Sequence, residues 1–111
     1  MARLNYVELP AREIAASKTF YEQAFGWSLM EFGPTYAATT SGDTDIGLQA
    51  DAEEATKAPL PVIEVEDLEA AQAAVEQAGG SIVRPIFAFP GGRRFHFLDP
   101  SGNEVAAVKS D

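Results

Sequence analysis

The 111-residue chain contains no cysteine and a single histidine, His96. Without cysteine there is no disulfide, thiolate nucleophile, iron–sulfur cluster or cysteine-ligated zinc. With one imidazole, neither a zinc site of two or three histidines nor HExxH chemistry can be assembled within one chain. Basic side chains are also scarce: 8 Lys and Arg stand against 17 Asp and Glu, a formal net charge of −9. Affinity for nucleic acid is built from clustered Lys and Arg, so no nucleic-acid partner is expected. No apolar run approaches the ~20 residues needed to span a bilayer, and Met1 to Pro10 has no apolar stretch of a secretion signal. The expectation is a cytoplasmic protein without a membrane partner. What is present is ordinary for a folded domain, with 46% hydrophobic and 23% charged residues. That composition excludes disorder as the main state and suits a single domain over 1–111.

A weak internal repeat lies in the chain. A shift of 54 residues sets Leu9-Pro10-Ala11-Arg12-Glu13-Ile14 on Ile63-Glu64-Val65-Glu66-Asp67-Leu68 and Glu22-Gln23-Ala24 on Glu76-Gln77-Ala78. Gly26 then meets Gly80, and with a further slip of six residues Ser41-Gly42-Asp43 meets Ser101-Gly102-Asn103. The element types repeat in the same order, which matters more than the identities. Leu4 to Leu9 reads as a strand, and Ile14 to Phe25 as a helix stopped by Gly26. Trp27 to Phe32, Tyr36 to Thr40 and Ile46 to Ala50 follow as strands, parted by Gly33-Pro34 and Ser41-Gly42-Asp43. In the second half Val62 to Val65 is a strand and Asp67 to Ala78 a helix, capped by Asp67 and stopped by Gly79-Gly80. Ser81 to Pro85, Arg93 to Leu98 and Glu104 to Val108 complete the copy, with Pro90-Gly91-Gly92 and Asp99 to Asn103 as turns. The predicted class is α+β: module one over about 1–50, an acidic surface linker over 51–58 with a short helical turn as its alternative, and module two over about 59–111.

Two motifs carry a family resemblance, Phe20-Tyr21-Glu22-Gln23-Ala24-Phe25-Gly26-Trp27 and Phe97-Leu98-Asp99-Pro100-Ser101-Gly102-Asn103-Glu104. With the tandem βαβββ order, the chain resembles the vicinal oxygen chelate superfamily: glyoxalase I, bleomycin-resistance proteins, fosfomycin-resistance enzymes and extradiol dioxygenases. The resemblance implies two modules whose curved mixed sheet forms a cup, with helices outside, a small-molecule ligand inside and a homodimer as the assembly. Both motifs also have architectural reasons, since Phe20, Tyr21 and Phe25 broaden the helix stripe expected to dock on the sheet, and Asp99 to Gly102 is turn chemistry.

Metal-dependent relatives place ligands on the first and last strand of each module. Carried onto this chain, those positions are Tyr6, Leu60, Ile46 or Gly47, and Ala106. None is an imidazole or a carboxylate, so no metal and no other cofactor is expected. Strand alternation instead predicts a cup lined by Tyr6, Glu8, Leu60, Val62, Arg94, His96, Ala106 and Val108, with Phe95 and Phe97 toward the helix. That is a mostly apolar pocket with one acid, one cation and one imidazole, the make-up of a small-molecule site.

Glu8 and His96 are the catalytic candidates as a general acid/base pair. The alternatives are that Glu8 pairs with Arg94 to hold the sheet, or that His96 is exposed on an outer strand. Trp27 is either a stacking platform for a planar ligand or core, and Gly91-Gly92-Arg93-Arg94 is either a phosphate loop or a hairpin turn. The expected function is metal-independent small-molecule binding. The alternatives are a small lyase or isomerase of glyoxalase type, rather than a dioxygenase, acting on a carbonyl-containing metabolite, and a structural or regulatory dimer.

Overall fold

A computed structural model describes residues 2–111; Met1, the first residue of the expected module one, lies outside the described residues. The element order is β1 (Arg3–Pro10), α1 (Ile14–Phe25), β2 (Met30–Glu31), β3 (Tyr36–Ala38), β4 (Asp45–Gln49), β5 (Leu60–Glu64), α2 (Leu68–Gln77), β6 (Ser81–Phe89), β7 (Gly92–Leu98) and β8 (Glu104–Ser110). This is βαβββ twice, in the α+β class. The chain divides into two compact units, a first of Tyr6–Leu60 and a second of residues 2–5 with Pro61–Asp111.

In the first unit β2, β3 and β4 form an antiparallel meander, and β1 adds to β4 in parallel with Val7 opposite Ile46 and Leu9 opposite Leu48. Alternation sends Leu9, Ile46, Leu48 and Ala37 to the α1 side, where they pack with Ile14, Leu29 and Tyr21. The other face carries Tyr6, Glu8, Ala38 and Gly47, because Glu8 and Ala38 both pair with Gly47. α1 ends where expected: Gly26 takes φ 72° and its N–H donates to the Glu22 carbonyl, a left-handed cap that a Cβ would disfavour.

The second unit pairs β5 with β8 in parallel, and β8, β7 and β6 antiparallel. Leu68, Phe95 and Ala107 form the buried centre against α2, joined by Val75, Ile82, Ile86 and Phe97. Asp67 caps α2 by accepting from the Ala70 N–H at 3.0 Å. The Asp99 carboxylate gathers the Ser101 and Asn103 N–H groups, each at 2.9 Å, and so builds the last turn from its own side chain. Hydrogen bonds from Asn103, its side chain first, and from the Ser101 and Gly102 N–H groups outweigh desolvation and hold Asp99 below the ordinary carboxylate range.

Several expectations are corrected. The strand expected over Trp27 to Phe32 shrinks to Met30–Glu31, because Trp27 stacks on Tyr21 and Phe25 rather than extending. Phe20 and Phe25 do not dock on the sheet; they are 58% and 61% exposed, and only Tyr21 of the three reaches the core. β5 begins at Leu60 instead of Val62, and β8 runs on to Ser110. Residues 51–58 hold a single helical turn, closed by the Ala55 N–H on the Asp51 carbonyl at 2.8 Å.

The largest departure is β6, which passes through Pro85 to Phe89. A proline is tolerated there because the strand is irregular: its register against β7 shifts between Ile82 and Arg84 and again between Arg84 and Phe87.

Candidate functional site

The predicted site residues fall in both units, Tyr6, Glu8 and Leu60 in the first and Val62, Arg94, His96 and Ala106 in the second. In the first unit the face away from α1 carries a hydrogen-bonded chain. The Tyr6 and Tyr36 hydroxyls bond to each other, and the Tyr36 hydroxyl donates to Glu8 Oε1 at 3.2 Å. Gly47 lies beneath the two rings, and a Cβ there would collide with both hydroxyls. Glu8 is only 2% exposed. Burial, followed by the neighbouring Tyr6 and Glu8, pushes the Tyr36 hydroxyl far above the ordinary phenol range. Tyr36 therefore acts as a donor that stays protonated. The sequence reading placed Tyr36 on a strand but missed it as a partner of Glu8, 28 positions away.

In the second unit the face away from α2 is set by register. Ala106 lies opposite both Val62 and His96, and Val108 lies opposite Arg94. Val62, Arg94, His96, Ala106 and Val108 thus share one face, with Phe95 and Phe97 on the other, as alternation predicts. His96 is 2% exposed, which removes the reading of it as a surface residue. Its Nδ1 lies 2.7 Å from Glu104 Oε2. A carboxylate accepts, so this contact assigns the proton to Nδ1 and leaves the Nε2 lone pair as an acceptor. Nε2 is buried and has no hydrogen-bond partner among the described residues. Burial pushes the His96 pKa down; Glu104 opposes this, while Arg94 and Arg84 add to it. The imidazole is accordingly neutral at pH 7.

Arg84, Phe87 and Glu104 belong to the same cluster and were missed from sequence. Arg84 pairs with His96 and Phe87 with Arg94, on the face of the polar residues. The Arg84 guanidinium lies 3.6 Å from the Phe87 ring centroid, and Arg94 lies 5.3 Å from it and 5.4 Å from that of Phe89. Simple alternation from Ile82, which packs toward α2, would have put Arg84 with it on the helix side. The register shift turns it over.

Arg93, one residue from Arg94, points the other way and pairs with Glu69 at 2.7 Å on the first turn of α2. Gly91 takes φ 116° in the hairpin turn Pro90-Gly91, and Gly92 and Arg93 already pair in β7.

A separate groove of about 390 Å³ in the first unit is lined by Trp27, Ser28, Thr39, Ser41, Thr44 and Asp45 among others. Its carboxylate is committed to the turn: Asp45 accepts from the Thr39 hydroxyl at 2.7 Å and from the Ser41 and Gly42 N–H groups at 2.8 and 3.0 Å. Burial raises the Asp45 pKa, but these bonds outweigh it and hold the carboxyl below its ordinary value. The groove is hairpin architecture with an aromatic edge.

The implied metal positions can be tested one at a time. Leu60 and Ala106 have no donor atom and are fully buried. Ile46 packs toward α1, so the matching position is Gly47, which has no side chain and has the tyrosine hydroxyls over it. Tyr6 alone offers an oxygen, already bonded to Tyr36. Among the described residues no three His, Asp or Glu side chains gather in a ligand-like group. A hard divalent cation asks for about six oxygen or nitrogen donors, and this set does not fit one.

Comparison with known proteins points to one group. Residues 3–107 match the family model described as the Glyoxalase/Bleomycin resistance protein/Dioxygenase superfamily. No curated protein matches the sequence. Among solved structures, one described as an NAD-dependent benzaldehyde dehydrogenase from Legionella pneumophila is 19% identical with a TM-score of 0.78, covering 96% of this chain and 99% of its own. Methylmalonyl-CoA epimerase from Mycobacterium tuberculosis is 15% identical with a TM-score of 0.74, covering 97% of this chain and 87% of its own. The Mn(II)-bound glyoxalase from Novosphingobium aromaticivorans is 19% identical with a TM-score of 0.71, covering 98% of this chain but 40% of its own. At these identities the likeness is one of fold.

Proposed function

Because the chain belongs to the Glyoxalase/Bleomycin resistance protein/Dioxygenase superfamily, we propose that it is a metal-independent small-molecule binding protein that holds its ligand on the strand face of the second unit turned away from α2. The observation that carries this reading is His96 Nε2, a buried acceptor with no hydrogen-bond partner among the described residues. Leaving such an atom unsatisfied costs about 1–3 kcal/mol, which a ligand hydrogen-bonded to Nε2, or a water it displaces, would offset. Metal independence is supported by the donor-free side chains of Leu60 and Ala106.

The test is a thermal-shift screen of chelator-treated protein against small organic acids, ketones and amides. A ligand at a hundred times its Kd stabilises the folded state by about 2.7 kcal/mol, a readable rise in Tm. We expect that rise without added metal. Stoichiometric metal in the purified protein, or a rise that appears only with a divalent cation, would refute the proposal.

A second reading, a lyase or isomerase acting on a carbonyl-containing metabolite, is favoured by one feature: the Glu104 bond orients His96 as a neutral base. The epimerase and the glyoxalase among the structural relatives show that the fold hosts reactions as well as binding. Against it, Nε2 has no hydrogen-bond partner among the described residues, so no second group is in place to return the proton. Deuterium wash-in from D2O at the carbon beside a carbonyl, lost in His96→Gln, would select this reading.

The assembly we propose is a homodimer, supported by the exposed Phe20, Phe25, Met30 and Phe32. Light scattering should give twice 11.9 kDa, and a monomer at micromolar concentration would reject it.

A further inference from the structure

The second unit concentrates positive charge where the chain as a whole has little. Only 8 of 111 residues are Lys or Arg, yet Arg84 and Arg94 converge on one ring, Phe87, on the face that also holds His96. Arg84 reaches that face only because the register of β6 on β7 slips between Ile82 and Arg84, a departure from regular pairing that puts two guanidinium groups and an imidazole on one patch of sheet. The guanidinium carbons of Arg84 and Arg94 lie over the Phe87 ring, 3.6 and 5.3 Å from its centroid, and a guanidinium carries five N–H donors around its edge. Beside them His96 Nε2 is buried and has no partner among the described residues.

We propose that Arg84, Arg94 and His96 form a receptor for an anionic oxygen group, a carboxylate or a phosphate, carried by the small-molecule ligand. This rests on the binding reading above and names the ligand's class. Guanidinium pairs recognise planar and tetrahedral oxyanions through paired N–H donors, which a neutral amide of the same shape satisfies poorly. The net charge of −9 repels anions at long range, so the capture is local and depends on these two side chains. A bound anion also offsets the two cations that disfavour protonated His96, and the protonated ring then donates from Nε2 to the anion. The charged and titratable groups facing His96 are Glu104 from β8, Arg94 from β7 and Arg84 from β6.

His96 is the only histidine, so its ring resonances are an unambiguous NMR reporter. The experiment titrates metal-free protein with acetate, inorganic phosphate or acetamide at constant ionic strength held with sodium chloride. Acetate or phosphate should shift the His96 ring signals saturably and raise the pKa they report, and whichever binds tighter identifies the source of the anion. Acetamide should leave the ring signals in place. Arg84→Gln and Arg94→Gln should each weaken the response about tenfold, equivalent to about 1.4 kcal/mol. Arg93→Gln, on the helix side and paired with Glu69, should titrate like the parent protein. Backbone amide spectra matching the parent establish that a variant is folded, and if Arg94→Gln fails this check, Arg84→Gln decides. Acetamide titrating like acetate, or both glutamine variants titrating like the parent, overturns the anion receptor while leaving the binding proposal intact. A metal requirement overturns the binding proposal through its own screen, without bearing on acetate against acetamide.

Discussion

Acidification from pH 7 to 5 should destabilise this protein through one side chain, His96. Its folded pKa is lowered, first by burial, so below the ordinary histidine value the unfolded chain binds a proton that the folded chain resists. Stability then falls with decreasing pH, beginning near pH 6.5 where the unfolded imidazole titrates and ending once pH drops below the folded pKa. One proton is involved, because there is one histidine, so the slope cannot exceed about 1.4 kcal/mol per pH unit. The lowered carboxylates act in a different window. Asp45 and Asp99 contribute stability that is present above their unfolded pKa and lost only as pH falls through their still lower folded values. Urea unfolding at half-unit intervals from pH 8 to 5 should therefore give a plateau down to about pH 7 and a decline below it, at constant m. His96→Gln keeps a donor toward Glu104 and should flatten that decline. A midpoint that is level or rises between pH 7 and 5, or a decline that persists in His96→Gln, would refute the reasoning.

Three further outcomes are expected. Gly47→Ala places a methyl group against the Tyr6 and Tyr36 hydroxyls and should cost about 1–3 kcal/mol in chemical denaturation; a neutral result would mean that the two rings do not cover that strand. Phe95→Ala empties the centre of the α2 core and should cost about 3–5 kcal/mol in the same assay; a loss below about 1 kcal/mol would contradict its burial. Asp67→Ala removes the α2 cap and should cost about 1 kcal/mol, with Asp67→Asn retaining most of it; equal losses in the two variants would reject capping as the cause.

Where the sequence was informative, the cause is local. The bounds of α1, the cap at Asp67 and the turn chemistry around Asp99 depend on residues within four positions of one another, so propensity and turn preference decide them. The same holds for the split between Phe95 and Phe97 on one face of β7 and Arg94 and His96 on the other, which alternation alone requires. Trp27 and Phe20 were misjudged for the opposite reason. An aromatic beside a helix end can extend a strand, dock on a sheet or stack on its neighbours, and only packing chooses among these.

The α+β class, the tandem βαβββ order and the family follow from sequence pattern, and the lack of an imidazole or carboxylate at the positions the resemblance assigns to a metal follows from residue identity. The tertiary structure decided which polar groups meet. Tyr36 reaches Glu8 across 28 positions, Glu104 orients His96 across a β-ladder, and Arg84 joins Arg94 on Phe87 because β6 departs from regular alternation between Ile82 and Arg84. Such contacts are set by strand register, which no single segment contains, and a one-residue shift in register exchanges the two faces of a strand.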